Sequence, residues 1–406
     1  MSIAEETILN RLSHSEGPRR SGPGITARSR FLGIGFGLTA LAVSLTGCGL
    51  FSSGPTPGVS PGASGVSNPT ASTTSSPTAA PVLIKSITLV AALGEPKGAT
   101  PAGLTWAGIQ ATAARLDATA TIVEPATNAD LASAIDKAAG ADLAVVVTVG
   151  PDAQDAVLAA SAAHPKTQFL EMDVAPPDGA PANLHGLVFD QAEAGYLAGY
   201  VAAWFSATAG VGFVGDAASD RGTANYAAGF PAGAAQAKPA TTVTVGYAGT
   251  ADAPDKGRTA AAAMIKSGSD IVVALPSLSG IGAMRETCGR KARLVTVGTD
   301  AWQVVPDVQP CLIASVVNRY DTAVGTALLV LAAGTPLPQR EMNDVSNDGI
   351  AVGEFHADLP AGFEAGLAGV MATLRNGPPR ATAGPATDAP SAAPGGKSSS
   401  PKASGT

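Results

Sequence analysis

Apolar and polar positions alternate along this chain in two rhythms. VLIKSITLVAAL, DLAVVVTV and DIVVAL are apolar almost throughout and bounded by Gly, Pro or Asp, which predicts strands buried on both faces. Between them the period lengthens. AGLTWAGIQATAARL places Trp106, Ile109, Ala113 and Leu116 on one helical face. TATIVE reads as a strand, and NADLASAIDKAAG as a helix with Asn128 as cap and Gly140 as stop. DAQDAVLAASAAH is a helix and TQFLEMD a strand. Helices alternating with wholly apolar strands imply a parallel sheet covered on both faces.

The pattern then restarts. GLVF leads into the helix QAEAGYLAGYVAAWFSAT, and GVGFVGD, TTVTVGY, DIVVAL and RLVTVGTD alternate with further helical segments. CLIASVV, the helix DTAVGTALLVLAAG, a short strand GIAVG and a helix around 361–375 close the series. The expected architecture is two doubly wound α/β lobes. Lobe one covers about 83–188 plus a returning segment near 311–335, and lobe two about 189–305 plus the C-terminal elements. Ligands of such sheets sit beyond the carboxyl ends of the strands, so two facing lobes make a cleft that closes on a hinge. GYLAGYVAAWF is too short to span a membrane, and its Gly195 and Gly199 are expected to let the helix approach the sheet closely.

The ends of the chain read differently. Arg28 and Arg30 precede an apolar run over 31–45, about the length of a signal-peptide core and shorter than the roughly 20 residues of a spanning helix. Leu45-Thr46-Gly47-Cys48 follows, and it resembles the lipobox of bacterial lipoproteins, in which Cys48 becomes the lipidated N-terminus. Arg19-Arg20 starts a twin-arginine pattern that the following residues do not complete, so the export route stays open. GIGFG inside the leader follows no strand and is no phosphate loop. Residues 48–82 are rich in Ser, Pro, Thr and Gly and read as a disordered tether, and 377–406 as a disordered tail. As a coil the tether would reach roughly 30 Å root-mean-square. These readings place a folded domain, 83–376, on the extracytoplasmic face of the cell membrane.

Net charge is −7 with no basic stripe, so nucleic acid is not an expected partner. Beyond Cys48, the pair Cys288 and Cys311 fits a disulfide in an oxidising compartment, closing a loop of about 24 residues worth about 3 kcal/mol. Two buried thiols are the other reading. His164, His185 and His356 fall in no metal-ligand spacing, and neither metal nor cofactor is expected.

FDQAEAGYLAGYVAA, GVGFVGD, AAGFPAGA, GSDIVVALPSLSGIGA and VTVGTDAWQ, in that order, resemble the basic-membrane-protein (Bmp/PnrA-like) family of substrate-binding lipoproteins of ABC importers. The resemblance covers most of 84–375 and is strongest over 186–335. It implies a type I periplasmic-binding-protein fold joined by a hinge, a nucleoside ligand, ABC permease subunits as partners, and a monomer. Site residues carry over unevenly. The family's Phe and Asn before the first helix fall on Pro101 and Ala102, so the base-stacking ring and the base-reading amide are missing. Trp106 in TWAG matches the family's Trp, and Glu95 and Lys97 are candidate polar replacements in the preceding loop. Asp155 in VGPDAQDA and Asp300 in VGTDAW match carboxylates that accept from sugar hydroxyls, each bond worth about 1.5–3 kcal/mol. Gly280 and Gly282 match a turn that admits the ligand, the family's Lys falls on Asn318, and Tyr226 or Trp302 is a candidate ring.

Each candidate has a plainer reading: Asp155 as an exposed helix residue, Asp300 as a cap, Trp106 and Tyr226 as packing, Glu95 and Lys97 as solvated charges. The function expected is a lipid-anchored binding protein that captures a nucleoside or another small hydroxyl-rich ligand. The alternative is a sensor or surface interaction lipoprotein with a degenerate nucleoside pocket. An enzyme is not expected, because no Gly-x-Ser-x-Gly elbow, His-Glu-x-x-His motif or Cys/His dyad occurs in a suggestive setting.

Overall fold

The computed structural model describes residues 82–91 and 98–377. Cys48 with the leader and tether, the loop bearing Glu95 and Lys97, and the tail from 378 onward lie outside the described residues. The first elements are β1 (Ser86–Val90), α1 (Pro101–Leu116), β2 (Thr119–Val123), α2 (Asn128–Ala139), β3 (Ala144–Val149), α3 (Gln154–Ala163), β4 (Gln168–Met172) and β5 (Leu184–Phe189). Then follow α4 (Gln191–Phe205), β6 (Gly210–Gly215), α5 (Arg221–Ala237), β7 (Thr242–Tyr247), α6 (Pro254–Lys266), β8 (Ile271–Ala274), α7 (Leu278–Gly289), β9 (Arg293–Gly298) and α8 (Ala301–Val304). The last are β10 (Leu312–Asn318), α9 (Tyr320–Ala332), β11 (Arg340–Asn343), β12 (Ile350–Val352) and α10 (Phe363–Arg375).

The strands form two six-stranded sheets, ordered β11-β5-β4-β3-β1-β2 and β12-β10-β9-β8-β6-β7. Every pairing is parallel except β10 with β12. The central strands β3, β6, β8 and β9 expose no residue, as their unbroken apolar sequence requires. Edge strands β2 and β7 carry Thr at polar alternations and are open on one side.

The chain crosses between the sheets three times: at Asp190 after β5, at Arg319 after β10, and over 344–349 between β11 and β12. This corrects the expected returning segment near 311–335. Leu312–Asn318 does not return; it pairs with β9, Ser315 opposite Thr296, and extends the second sheet. Only α9, packed on α1, and β11, paired with β5, go back to the first sheet. β11 has the sequence REMN, whose short polar edge carries no strand signal. The cap of α2 is Thr127, whose hydroxyl accepts from the Asp130 amide, and Asn128 is already helical.

Gly195 and Gly199 serve a helix rather than the sheet. A Cβ on either would collide with the backbone of Tyr226 or Phe230 on α5, and one on Gly229 or Gly233 with that of Ala192 or Tyr196 on α4. Glycines on both partners therefore bring α4 and α5 into backbone contact. On the far side of α4, Tyr200, Trp204 and Phe205 gather Phe355 and Phe363 into an aromatic cluster that seats α10. Cys288 and Cys311 are bonded, with Cα atoms 5.4 Å apart, tying the end of α7 to the start of β10.

Two stability predictions follow. Gly229→Ala forces α4 and α5 apart and should cost about 1–3 kcal/mol, read as an earlier urea midpoint at unchanged slope. Cys288→Ser together with Cys311→Ser should cost up to about 3 kcal/mol, read in the same denaturation series.

The cleft at the strand ends

The carboxyl ends of β4, β6, β8, β9 and β10 deliver a set of polar side chains to one region. Asp173, just past β4, is held by residues that begin the two helices after the first two crossings. Gln191 Nε2 donates to Asp173 Oδ1 at 3.3 Å, and the Tyr320 hydroxyl donates to Oδ2 at 3.2 Å. Asn225 Nδ2 donates to Gln191 Oε1 at 3.4 Å, extending the chain of bonds onto α5. Deeper down, Asn318 Nδ2 donates to the Tyr226 hydroxyl oxygen at 3.3 Å. Asn318 is 1% exposed, and its Oδ1 has no partner. Thr299, at the end of β9, likewise has a buried hydroxyl without a partner. On the second lobe Ser277 donates to Asp216.

Asp173 keeps an exposed surface while protein encloses most of its surroundings. Desolvation pushes its carboxyl up to about 6; the hydrogen bond from Tyr320 opposes this and the charge of Asp220 adds to it. Burial also raises Asp216, with Ser277 opposing and Asp220 adding. The Tyr226 and Tyr320 hydroxyls are pushed up by burial and then by Asp173, so both stay protonated donors.

A model of ABC transporter substrate-binding proteins described as PnrA-like matches residues 104–355. The chain belongs to this family. Similar proteins include the ABC transporter nucleoside-binding protein BmpA of Lactococcus lactis, 36% identical over 34% of this chain and 38% of that protein. Basic membrane protein A of Borreliella burgdorferi is 28% identical over 46% of this chain and 53% of that one. The matched region thus spans 38% to 53% of those relatives. Among solved structures, an ABC transporter system solute-binding protein from Conexibacter woesei has a TM-score of 0.59 at 20% identity, over 72% of this chain and 97% of that one. A transcriptional activator of the comK gene from Bacillus halodurans has a TM-score of 0.61 at 15% identity, over 72% and 98%. These likenesses show the fold, that of type I periplasmic binding proteins.

The sequence-predicted residues fall into different settings. Tyr226 and Asn318 meet at the floor. Asp300 lies at the end of β9 but is engaged locally: it accepts from the Trp302 amide at 3.1 Å, from Gln303 Nε2 at 2.8 Å and from Ser315 Oγ at 3.3 Å. It caps α8, the plainer of its two readings. Trp302 stacks on His356 with centroids 3.7 Å apart, and Trp106 packs against the main core. Asp155 is exposed in the first turn of α3 without a hydrogen-bond partner among the described residues. Gly280 is engaged in local packing at the start of α7. Its amide bonds the Ser277 cap and its missing Cβ makes room for the Leu275 carbonyl, while Gly282 makes room for Pro254. Glu95 and Lys97 lie outside the described residues.

Asp173, Gln191, Tyr320, Asp216 and Ser277 escaped the sequence reading. The signal available was position: Asp173 directly follows the strand TQFLEM, and Tyr320 directly follows CLIASVVN. A groove of about 1070 Å³ between α4, α5 and α10, lined by Tyr196, Tyr200 and Leu374, is separate from this cluster. Among the described residues no group of His, Cys, Asp and Glu is arranged to hold a metal, and no helix is long and apolar enough to cross a membrane.

Under the cleft, on β4, Glu171 is fully buried with neither carboxyl oxygen partnered, and the hydroxyl of Thr148, its register neighbour on β3, is also unpartnered. Desolvation raises Glu171 from 4.5 to about 7. The folded state therefore takes up this proton before the unfolded chain does. Stability should rise as pH falls from about 8 toward 5, by up to about 3 kcal/mol from this residue. Glu171→Gln should flatten that slope, a comparison made by melting both proteins across the pH series.

Proposed function

We propose that this protein is a lipid-anchored solute-binding component of an ABC importer that captures a small hydroxyl-rich ligand, a nucleoside being the first candidate. The observation that carries the reading is the convergence of Asp173, Tyr226, Tyr320 and the unpartnered Asn318 Oδ1 where strand ends of both sheets meet the crossings. A buried acceptor without a partner is costly, and a hydroxyl or N–H donor from a ligand relieves it. Asp173 is the principal carboxylate for ligand hydroxyls in this reading, with Asp155 and Asp300 as further candidates. Ligand bound here touches residues adjoining two crossings, so occupancy sets the lobe angle that a permease reads. The lipobox at Cys48 and the tether after it would hold the domain on the extracytoplasmic membrane face as a monomer. The BmpA relative, named as a nucleoside-binding protein, supports the ligand class. No cofactor, metal, nucleic acid or catalytic step enters this reading.

A second reading, a sensor or surface interaction lipoprotein, is favoured by Pro101 and Ala102, which begin α1 where the family's ring and amide would stand. Thermal melting with nucleosides, bases, pentoses and polyols separates the two. A ligand at 100 times its dissociation constant adds about 2.7 kcal/mol, a shift of a few degrees. The shift should appear with nucleosides or free sugars and vanish in Asp173→Ala. No shift with any of them favours the second reading. Cys48→Ser should move the protein from the membrane to the soluble fraction on cell fractionation, and retention in the membrane would refute the anchor.

A further inference from the structure

Among the described residues, the charged groups gathered at these strand ends are acids. Asp173 stands on the first lobe after β4; Asp216 and Asp220 stand on the second, after β6. Asp173 and Asp216 both feel the charge of Asp220, so repulsion acts across the cleft and along its second wall. The groups that act on Asp173 are the Tyr320 hydroxyl, the Gln191 amide and Asp220; those that act on Asp216 are the Ser277 hydroxyl and Asp220. None is a cation. Among the described residues no Lys, Arg or His pairs with any of the three acids. Nearby Arg319 is committed to Asp321 through two hydrogen bonds of 3.0 and 3.1 Å. Arg221, beside Asp220 in sequence, is exposed and in none of these pairs.

Independently, the floor lacks a donor. Asn318 is 1% exposed, its amide nitrogen donates to Tyr226, and its Oδ1 accepts from nothing. Tyr320, which donates to Asp173, also lies within hydrogen-bonding reach of the Asn318 amide, so the Asn318 side chain stands next to the residue that holds Asp173. The acids do not form a group that could hold a metal ion. Charge spread over two walls and an orphaned acceptor below suit an extended organic cation.

We propose that the ligand of this cleft carries a protonated nitrogen on a hydroxyl-rich frame, held between Asp173 and Asp220, with a donor of the ligand reaching Asn318 Oδ1. This rests on the binding-protein reading above and narrows its ligand class. The physical reason is that closing an empty cleft, or one filled by a neutral molecule, brings like charges of opposite lobes together in a drying space. A cation between them turns that repulsion into attraction, so closure becomes conditional on ligand charge.

The test is isothermal calorimetry on the full chain near neutral pH with two matched pairs of probes: glucamine against sorbitol, and 5′-amino-5′-deoxyadenosine against adenosine. The amine should bind at least about tenfold more tightly than its hydroxyl counterpart in a pair that binds. Its advantage should shrink as salt is raised, and Asp173→Asn and Asp220→Asn should each collapse the ratio. The salt series on the unaltered protein keeps the test decisive should either variant fold poorly. A hydroxyl probe that binds as tightly as its amine overturns the inference and leaves the binding-protein reading standing. If Lys97 fills the place of the cation, the unaltered protein prefers the hydroxyl probe and Lys97→Ala reverses the preference, which also overturns it. Silence from all four probes overturns this inference and the small hydroxyl-rich ligand together.

Discussion

Asp173 is gripped by Gln191 and Tyr320, the residues with which the chain resumes helix after its first two passages between the sheets. This one carboxylate ties the end of a first-lobe strand to two of the segments that cross between the sheets. It also keeps an exposed surface. In the proposed reading recognition and movement share atoms: a ligand on Asp173 would compete with, or complete, the bonds that fix the crossings. The raised carboxyl follows from the same arrangement, because a group enclosed by both lobes loses water before it gains a partner.

That arrangement depends on rigid lobes. The second is built on backbone contact between α4 and α5, made possible by glycines on both helices. α4 begins one residue after a crossing, and Tyr226, whose ring lines the floor, rides on α5. Close packing of these helices holds Tyr226 against Asn318. Asn318, Thr299 and Glu171 are among the described residues whose buried polar atoms lack partners. Two of these lie at strand ends, Asn318 on β10 and Thr299 just past β9, where the proposed ligand site lies. The third lies within the sheet, on β4, and is expected to make stability depend on pH.

The lobes, the parallel sheets and most element bounds were legible in the sequence, because apolar strands and period-3.6 helices carry their burial in their own composition. The last helix, expected around 361–375, is Phe363–Arg375. The site was legible only in part. Tyr226 and Asn318 were named, yet Asp300 caps a turn, Trp302 stacks on His356 and Gly280 relieves a backbone clash. Residues matched by motif kept their positions at the strand ends, but local hydrogen bonds decided whether their polar atoms were free.

By itself the sequence determined the fold class, because alternation of buried strands and amphipathic helices admits few arrangements other than doubly wound sheets. It also determined the leader pattern and the family spacing, which are properties of contiguous residues. Only the tertiary structure decided that β10 joins the second sheet, that α4 packs on a helix through its glycines, and that Asp173, Gln191, Tyr226, Asn318 and Tyr320 form one network. Those outcomes rest on contacts between segments up to 147 residues apart, as between Asp173 and Tyr320. No local pattern encodes such a pairing, since each residue is compatible with many partners until the sheets fix their strand ends in space.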